Sequence, residues 1–303
     1  MRFKFSLWKL YYLFQAVYKL RFLPDKLFLQ LKFYRYQKRL IDFKNPRSFN
    51  EKIQFLKLYD RKQSYHLYAD KENSKQVAKK VLGKDGVLKT QYTFDSVEEI
   101  SFEKLNFPCV IKTNKGSGDF FLLRSIPNRR HRDSILFSLA KSLERDLYLE
   151  KREYQYKNII PKIIVEDMLL DSKNNIPQDY KVHCFNSKPE FIYVTTGREG
   201  NTYRGVYDLN WKPIDMIWSH LDKSGKPNYN FKNDIPKPKN LNEIIEVSKQ
   251  LADLVPSPYI RIDLFNVDEQ KLVFGEFTFH HMSGYAPIFP YEKDLYFGGR
   301  LHI

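Results

Sequence analysis

The chain has 303 residues, of which 42% are hydrophobic and 16% aromatic, so it can bury a sizeable core and is not globally disordered. Its 51 Lys and Arg residues against 36 Asp and Glu give a net charge of +15, which favours an acidic partner such as phosphate, an anionic polymer, nucleic acid or anionic lipid. The two cysteines, Cys109 and Cys184, exclude a disulfide framework and a CxxC metal site, and they favour a reducing, cytoplasmic location. The sequence contains no P-loop, zinc cluster or GxSxG motif.

Residues 1–40 carry most of the positive charge, with ten basic residues and one acid. Apolar residues recur there at helical spacing, namely Leu7, Leu10, Tyr11, Phe14 and Tyr18. Because the uncharged run 10–18 is far shorter than the ~20 residues of a spanning helix, we expect peripheral contact with an anionic membrane, on its cytoplasmic face. A helical hairpin packed on the body, with solvated lysines, is the alternative. We expect no nucleic-acid partner, since no recognition-helix or RNP-like pattern accompanies the charge.

The rest of the chain predicts alternating helices and strands. Helices are predicted over 49–60, after the start signal Asn45-Pro46-Arg47-Ser48, over 70–81, over 135–147 and over 241–254. Strands are predicted over 107–113, 119–125 and 161–168, in a hairpin over 179–196, and in a closing hairpin of 259–265 with 272–280. Turn-forming residues over 219–240 predict a long loop.

A lysine and a glycine-rich loop follow one another between the strands at 107–113 and 119–125. Lys112 precedes Lys115-Gly116-Ser117-Gly118. Glycines let backbone N–H groups turn toward phosphate oxygens, and a nearby lysine supplies the countercharge. The alternative is an ordinary glycine hairpin turn.

The closing hairpin places acids on one face. Because side chains alternate along a strand, Arg261 shares a face with Asp263, and Glu276 shares one with Thr278 and His280. A four-residue turn at 268–271 would set Asp263 opposite Glu276 and Arg261 opposite Thr278. Two opposed carboxylates repel each other unless a divalent cation lies between them, and Mg²⁺ prefers such oxygen ligands. The alternative is a shifted register with solvent-facing acids.

The apolar segment 163–169 carries two acids, Glu166 and Asp167. Its backbone can offer hydrogen bonds to adenine while Glu166 accepts from ribose hydroxyls, and Asp179-Tyr180-Lys181 follows. A solvated glutamate at the end of a strand is the alternative.

In chain order these motifs resemble the ATP-grasp superfamily, specifically its TupA-like branch, which is associated with teichuronopeptide and surface-polysaccharide synthesis. The matching stretches are Phe49 to Gln54, Ala69-Asp70-Lys71, Val110 to Gly118, Glu166 with Asp179-Tyr180-Lys181, Arg261 to Phe265 and Gly275 to Phe279. The resemblance implies an α+β, ATP-grasp fold in which two α+β subdomains clasp ATP, with a basic, helical N-terminal extension. The implied domains are an N-terminal region (1–60), an N-terminal subdomain with the glycine-rich loop (61–165) and a C-terminal subdomain with the metal hairpin (166–303).

The resemblance also implies roles for single residues. The implied ATP-binding residues are Lys71, Lys112, Lys115, Gly116, Ser117, Gly118, Glu166, Asp167 and Met168. Asp263 and Glu276 match the magnesium carboxylates, Arg261 an arginine that steadies the charged intermediate, and Lys181 a phosphate-contacting residue. His280 and Ser283 follow the metal glutamate closely and are expected to line the acceptor pocket, with simple packing as the alternative. Thr278 stands where many ATP-grasp enzymes have a metal-binding Asn, and its hydroxyl is a weaker ligand.

The implied activity is an ATP- and Mg²⁺-dependent carboxylate–amine ligase that works through an acyl phosphate. The implied acceptor is a uronic acid, or similar acidic group, of a surface or capsular polysaccharide, and the donor is an amino acid or amine. A glycosyltransferase acting on the same glycans is the alternative, and a basic binding protein without catalysis is a third class.

Overall fold

The computed structural model describes residues 22–303 apart from 117, 119 and 198–201. The amphipathic helix predicted within residues 1–21, and the predicted ATP-binding Ser117, lie outside the described residues. The α-helices are α1 (Asp25–Gln37), α2 (Phe49–Tyr59), α3 (Tyr65–Ala69), α4 (Lys71–Leu82), α5 (Arg129–Leu143), α6 (Leu147–Lys151), α7 (Leu241–Asp253) and α8 (Tyr291–Arg300). The strands are β1 (Thr90–Phe94), β2 (Cys109–Thr113), β3 (Phe120–Leu123), β4 (Ile163–Asp167), β5 (Gln178–Phe185), β6 (Lys188–Thr196), β7 (Tyr203–Tyr207), β8 (Ile217–Trp218), β9 (Asn230–Phe231), β10 (Tyr259–Val267), β11 (Lys271–Thr278) and β12 (Ile288–Phe289).

The strands form two larger sheets and one short pair. The smaller of the two is antiparallel with the order β1-β4-β2-β3, and the larger has the order β11-β10-β5-β6-β7-β9, with only β7 and β9 running parallel; β12 pairs with β8. The predicted boundary between 165 and 166 falls inside β4, and the chain crosses from one sheet to the other between β4 and β5.

Each sheet has its own apolar layer. Ile135 and Leu139 of α5 pack on Ile111 and Val165 of the four-stranded sheet. Ile244 and Leu251 of α7 lie in a separate cluster with the six-stranded sheet. The α+β class predicted from the sequence is confirmed.

Helix α2 covers one end of the opposite face of the six-stranded sheet. Its start is fixed by a capping box, in which the Ser48 hydroxyl accepts from the Glu51 N–H and the Glu51 carboxylate accepts from the Ser48 N–H. Phe49 and Ile53 then pack against Tyr259 and other aromatic residues at that end. Since Tyr259, Arg261 and Asp263 alternate onto one face of β10, α2 closes the apolar end of this face and its polar part lies further along the strand.

Helix α1 packs against the body. Its buried residues are Phe28, Leu29, Leu31 and Phe33. Asp25 at its start forms ion pairs with Arg61 at 2.5 Å and with Arg152 at 2.8 Å. The packed alternative therefore holds for residues 25–37, and membrane contact remains a prediction for the residues before them. In the part of the chain that the structure describes, no helix combines the length and the apolar character needed to cross a bilayer.

The β10–β11 hairpin reaches the predicted pairing by a different route. Val267 pairs with Lys271, so the turn has three residues, one fewer than predicted. The register then shifts at Gly275, the extra residue of a bulge, where an added Cβ would lie 3.2 Å from the Asp263 carbonyl oxygen. Asp263 consequently lies opposite Glu276, as predicted. The strand ends at Thr278, so the prediction that it includes His280 is wrong.

Candidate functional site

An acidic and basic cluster occupies the polar part of the six-stranded sheet. Asp263 lies opposite Glu276 on one side and opposite Lys181 on the other. Arg261 donates from Nε and Nη2 to the two oxygens of Asp263, both at 2.6 Å, and from Nη2 to Glu276 Oε1 at 3.0 Å. Lys181 lies 3.1 Å from Asp263 and also pairs with Asp179. The cluster thus holds three acids and two bases on neighbouring strands.

The surroundings shift the pKa values of Asp263 and Glu276 in opposite directions. Burial raises the pKa of Asp263, and the charges of Glu276 and Asp179 raise it further, against the lowering effect of Arg261 and Lys181. Burial would also raise the pKa of Glu276, but Arg261, Lys71 and Lys181 lower it below its usual value. Arg261 keeps its proton, because Asp263 outweighs burial and raises its pKa. A bound cation would oppose the effect of burial on Asp263 and favour its charged form.

The donor set fits a magnesium ion bound with a nucleotide. Mg²⁺ is commonly held by one or two carboxylates, with water and substrate phosphates completing its octahedron. Asp263 and Glu276 supply the two carboxylates. Among the described residues, there is no group of three or more His, Cys, Asp or Glu side chains that could hold a metal. Protein side chains alone therefore do not supply a complete set of metal ligands there. Thr278 donates its hydroxyl to Glu276 Oε1 at 3.1 Å and orients that carboxylate.

A second cluster, of lysines, lies on the four-stranded sheet. Glu166 of β4 is 1% exposed, and its two oxygens lie 2.5 Å from the amines of Lys75 and Lys112. Each oxygen thus contacts one lysine, and this pairing stabilises the carboxylate because an unpaired buried charge would be strongly unfavourable. The predicted contact of Glu166 with ribose stays a prediction.

Lys71 lies between the two clusters. Its amine donates to the carbonyl oxygen of Gly116 at 2.7 Å and so holds the glycine-rich loop. Burial lowers the pKa of Lys71 to about 8; Lys112 adds to this effect, and the carboxylates of Glu276 and Glu166 oppose it. Charged groups from both sheets thus act on this one amine.

Two further side chains fix the glycine-rich loop. The Asn114 amide donates to Asp70 at 2.7 Å, and Asp70 in turn caps α4. Lys115 turns away from the lysine cluster and donates to the carbonyl oxygen of Arg145 at 2.8 Å, just beyond α5. Backbone carbonyls at a helix C-terminus attract cations. The structure therefore does not bring Lys115 to the predicted phosphate site. Gly116 and Gly118 adopt positive φ angles of 76° and 92°, which glycine accommodates readily.

The predicted adenine segment is already hydrogen-bonded through part of its backbone. The N–H of Asp167 donates to Lys89 O at 3.1 Å, and that of Met168 to Pro108 O at 3.1 Å. An adenine at this segment would have to use other groups, so the role of Asp167 and Met168 stays a prediction.

The residues after the β10–β11 hairpin form a buried polar network. The Ser283 hydroxyl donates to Glu153 at 2.5 Å and accepts from the fully buried Lys57 amine at 2.8 Å. His280 lies 3.2 Å from the Gln155 amide, and burial lowers its pKa to about 3. Ser283 has a positive φ of 59°, a conformation that these contacts stabilise. The expected acceptor role of His280 and Ser283 stays a prediction.

The structure brings Arg261, Asp263, Glu276 and Lys181 into one cluster and Lys71, Lys112 and Glu166 into its neighbourhood. Sequence reasoning missed Lys75, Lys57 and Glu153. Lys75 lies one helical turn after Lys71 on the buried face of α4, and this spacing of four residues was the available signal. Lys57 and Glu153 gave no signal, because only the fold brings them together.

Comparison with protein families identifies the chain. A family model described as TupA-like ATPgrasp matches residues 51–302. The chain belongs to this family, and the resemblance deduced from its motifs is confirmed. No curated protein matches the sequence.

Solved structures with similarity to the chain include three enzymes. D-alanine–D-alanine ligase from Bacillus anthracis is 14% identical, with a TM-score of 0.44, over 78% of this chain and 64% of that one. L-amino acid ligase from Bacillus licheniformis is 12% identical, with a TM-score of 0.42, over 75% and 47%. The ADP complex of N5-carboxyaminoimidazole ribonucleotide synthetase is 14% identical, with a TM-score of 0.39, over 73% and 45%. The chain thus spans about half to two thirds of the length of these proteins.

Proposed function

We propose that the protein is an ATP-dependent carboxylate–amine ligase. The observation that carries the proposal is the pairing of the carboxylates of Asp263 and Glu276 across β10 and β11. Lys71, which contacts the glycine-rich loop at Gly116, adds a cation whose pKa the charge of Glu276 influences. This arrangement provides two carboxylates for a magnesium ion beside lysines for the phosphates. Membership of the ATP-grasp family supports the same activity.

The proposed reaction has two steps. A carboxylate oxygen of the acceptor attacks the γ-phosphorus of ATP, the bond between that phosphorus and the β–γ bridging oxygen breaks, and ADP leaves. The amine of the donor then attacks the acyl carbon, the carbon–oxygen bond to phosphate breaks, and the amine loses a proton. Bound Mg²⁺, held by Asp263 and Glu276, would neutralise charge on the phosphate oxygens.

The side chains of this chain do the positioning. Lys112 and Lys71 bind phosphate oxygens, and Lys71 draws the loop at Gly116 toward them. Arg261, which stays charged and is held by Asp263, faces the transferring group and stabilises its charge. Lys181 supplies a second cation on the other side of Asp263.

For the substrate, we propose a uronic acid or similar acidic group of a surface or capsular polysaccharide, joined to an amino acid or amine. The net charge of +15 suits an anionic polymer. We further propose that the basic N-terminal residues bind an anionic membrane on its cytoplasmic side, where a lipid-linked glycan would be presented. The predicted absence of a nucleic-acid partner stays a prediction.

The activity can be tested by measuring ADP and phosphate release with a panel of uronic acids and amino acids. The ligase is supported if ADP and phosphate are released only when a uronic acid and an amine are both present. Release of a nucleoside diphosphate from a sugar donor would favour the glycosyltransferase alternative, and no turnover with any pair would favour a binding protein.

A further inference from the structure

We propose that Arg204 and Tyr229 form a second carboxylate-binding subsite, which receives a charged group of the substrate other than the one that is phosphorylated. The inference rests on the proposed ligase function for its place in catalysis. Its evidence comes from a part of the sheet that the reaction described above does not use.

Arg204 lies on the same sheet face as the metal carboxylates. Residues directly opposite each other in a ladder point to the same face. Asp263 lies opposite Lys181, and Lys181 lies opposite Tyr193 on β6. Thr195, two residues after Tyr193 and hence on that face, lies opposite Arg204 on β7.

Arg204 carries an uncompensated positive charge. Its guanidinium lies 3.1 Å from the centre of the Tyr229 ring, and Nη1 donates to the Tyr193 hydroxyl at 3.3 Å. Within the described part of the chain, no carboxylate forms an ion pair with it. Its buried Nε also has no hydrogen-bond partner. A half-buried arginine whose only partners are neutral is a ready partner for an anion.

Neighbouring polar groups are also unsatisfied. Thr195 is 4% exposed, and its hydroxyl has no partner. His281 accepts from Arg261 at Nδ1, so its proton is on Nε2, which is buried without a partner. The His281 ring centre lies 5.5 Å from that of Tyr193, which links Arg261 to Arg204 through contacting side chains. Buried polar groups without partners are uncommon and often mark a binding site.

Arg204 and Tyr229 together favour a ligand in which a carboxylate is attached to a ring or carbon chain. The planar guanidinium binds a carboxylate through two parallel hydrogen bonds. Tyr229, 36% exposed, can pack against the attached carbon skeleton. Such a carboxylate has two sources, a neighbouring uronic acid of the glycan or the α-carboxylate of the amino acid.

The test measures binding directly, without turnover. Trigalacturonic acid and its methyl ester are titrated into the full chain with Mg²⁺ and a non-hydrolysable ATP analogue, and alanine is compared with alaninamide. Wild type, Arg204→Met and Arg204→Lys are compared. Arg300→Met removes the same charge from α8, where Arg300 pairs with Glu190 on the surface, and serves as the control.

We expect wild type to bind one of the two acids more tightly than its counterpart without the carboxylate by about tenfold or more, as for a good charge-assisted contact. Arg204→Met should lose this preference, Arg204→Lys should recover part of it, and Arg300→Met should keep it. Binding of the ester, of alaninamide and of the ATP analogue should not change. Preference for trigalacturonic acid identifies the glycan, and preference for alanine identifies the amino acid.

Equal affinity of wild type for each acid and its counterpart without the carboxylate would overturn the subsite, as would an unchanged preference in Arg204→Met. A carboxylate preference that depends on Arg204, in a protein that forms no amide, would leave the subsite standing and remove the ligase proposal.

Discussion

The amine of Lys71 donates to the carbonyl oxygen of Gly116 at 2.7 Å, so the start of α4 holds the loop between β2 and β3. The backbone adds to this link, because the Lys71 N–H donates to the carbonyl oxygen of Asn114 at 3.0 Å. The ammonium group has three N–H donors, so under the proposed function it can hold this carbonyl and bind phosphate oxygens at the same time. Nucleotide binding and the position of the loop would then be connected through one side chain.

Lys71→Met should weaken binding of an ATP analogue by about tenfold or more, since a charge-assisted contact to phosphate is lost. Because the pKa of Lys71 is lowered to about 8, its amine loses its charge as the pH rises through that value. Affinity in wild type should therefore fall between about pH 7 and pH 9, and Lys71→Arg, which stays charged, should remove that fall. Calorimetric titration across this range checks both results; an identical pH profile in wild type and Lys71→Arg would contradict the assignment.

Glu166→Gln should destabilise the fold, because it leaves Lys75 and Lys112 without their buried countercharge. The loss should be about 3 to 5 kcal/mol in the free energy of unfolding, measured by urea denaturation. Lys75 also contacts Glu72, which is one third exposed, so Glu72→Gln is the matched control with an expected loss below about 1 kcal/mol. Equal losses in the two variants would contradict the role given to Glu166.

The loss of unfolding free energy in Glu166→Gln should depend on pH. Burial raises the pKa of Glu166, but Lys112 and Lys75 outweigh it, so the folded-state value is lower than the unfolded one. The stabilisation is therefore fully present above the unfolded pKa and is lost as the pH falls through the folded one. Urea denaturation from neutral to acidic pH should show wild type and variant converging at the acidic end.

Glu276→Gln should reduce turnover by about a hundredfold or more while leaving the fold intact. The Glu276 side chain is 32% exposed, whereas Asp263 is buried against Arg261, so Asp263→Asn should lower the melting temperature as well. Thr278→Val removes only the hydrogen bond that orients Glu276, and a reduction of about tenfold or less is expected. Turnover, circular dichroism and Mg²⁺ dependence separate these effects; normal turnover in Glu276→Gln would remove the metal assignment.

Lys57→Met should leave Glu153 buried and without its nearest cation, 3.9 Å away, and should loosen the segment at Ser283. A loss of about 3 to 5 kcal/mol in unfolding free energy is expected, and Glu153→Gln should recover part of it in the double variant. Additive losses in a double-mutant cycle would show that the two side chains do not interact.

Local sequence patterns predicted the elements well where short-range chemistry decides them. The start signal Asn45-Pro46-Arg47-Ser48 correctly predicts the beginning of α2, and the helix predicted over 70–81 differs from α4 by one residue at each end. The pairing of Asp263 with Glu276 was also predicted, although the shorter turn and the bulge at Gly275 compensate each other in a way that strand alternation alone does not show. The prediction was correct because the residue lost from the turn and the extra residue of the bulge leave the Asp263–Glu276 register unchanged.

The parts that could not be predicted depend on contacts between distant segments. Glu166 of β4 pairs with Lys75 and Lys112, and the fold alone brings Lys75 of α4 to this strand. Lys115 is drawn to carbonyls at the end of α5, thirty residues further on. The strand order places Arg204 on the same sheet face as Asp263 and Glu276, which no local pattern reveals.

The most direct test of the account follows oxygen from substrate to product. A uronic acid labelled with ¹⁸O in its carboxylate is incubated with the protein, ATP, Mg²⁺ and an amine, and the released phosphate is analysed by mass spectrometry. Transfer of one ¹⁸O atom to phosphate, lost in Glu276→Gln, is the result expected if an acyl phosphate forms above Asp263 and Glu276. Amide formation with phosphate that carries no ¹⁸O would contradict that mechanism.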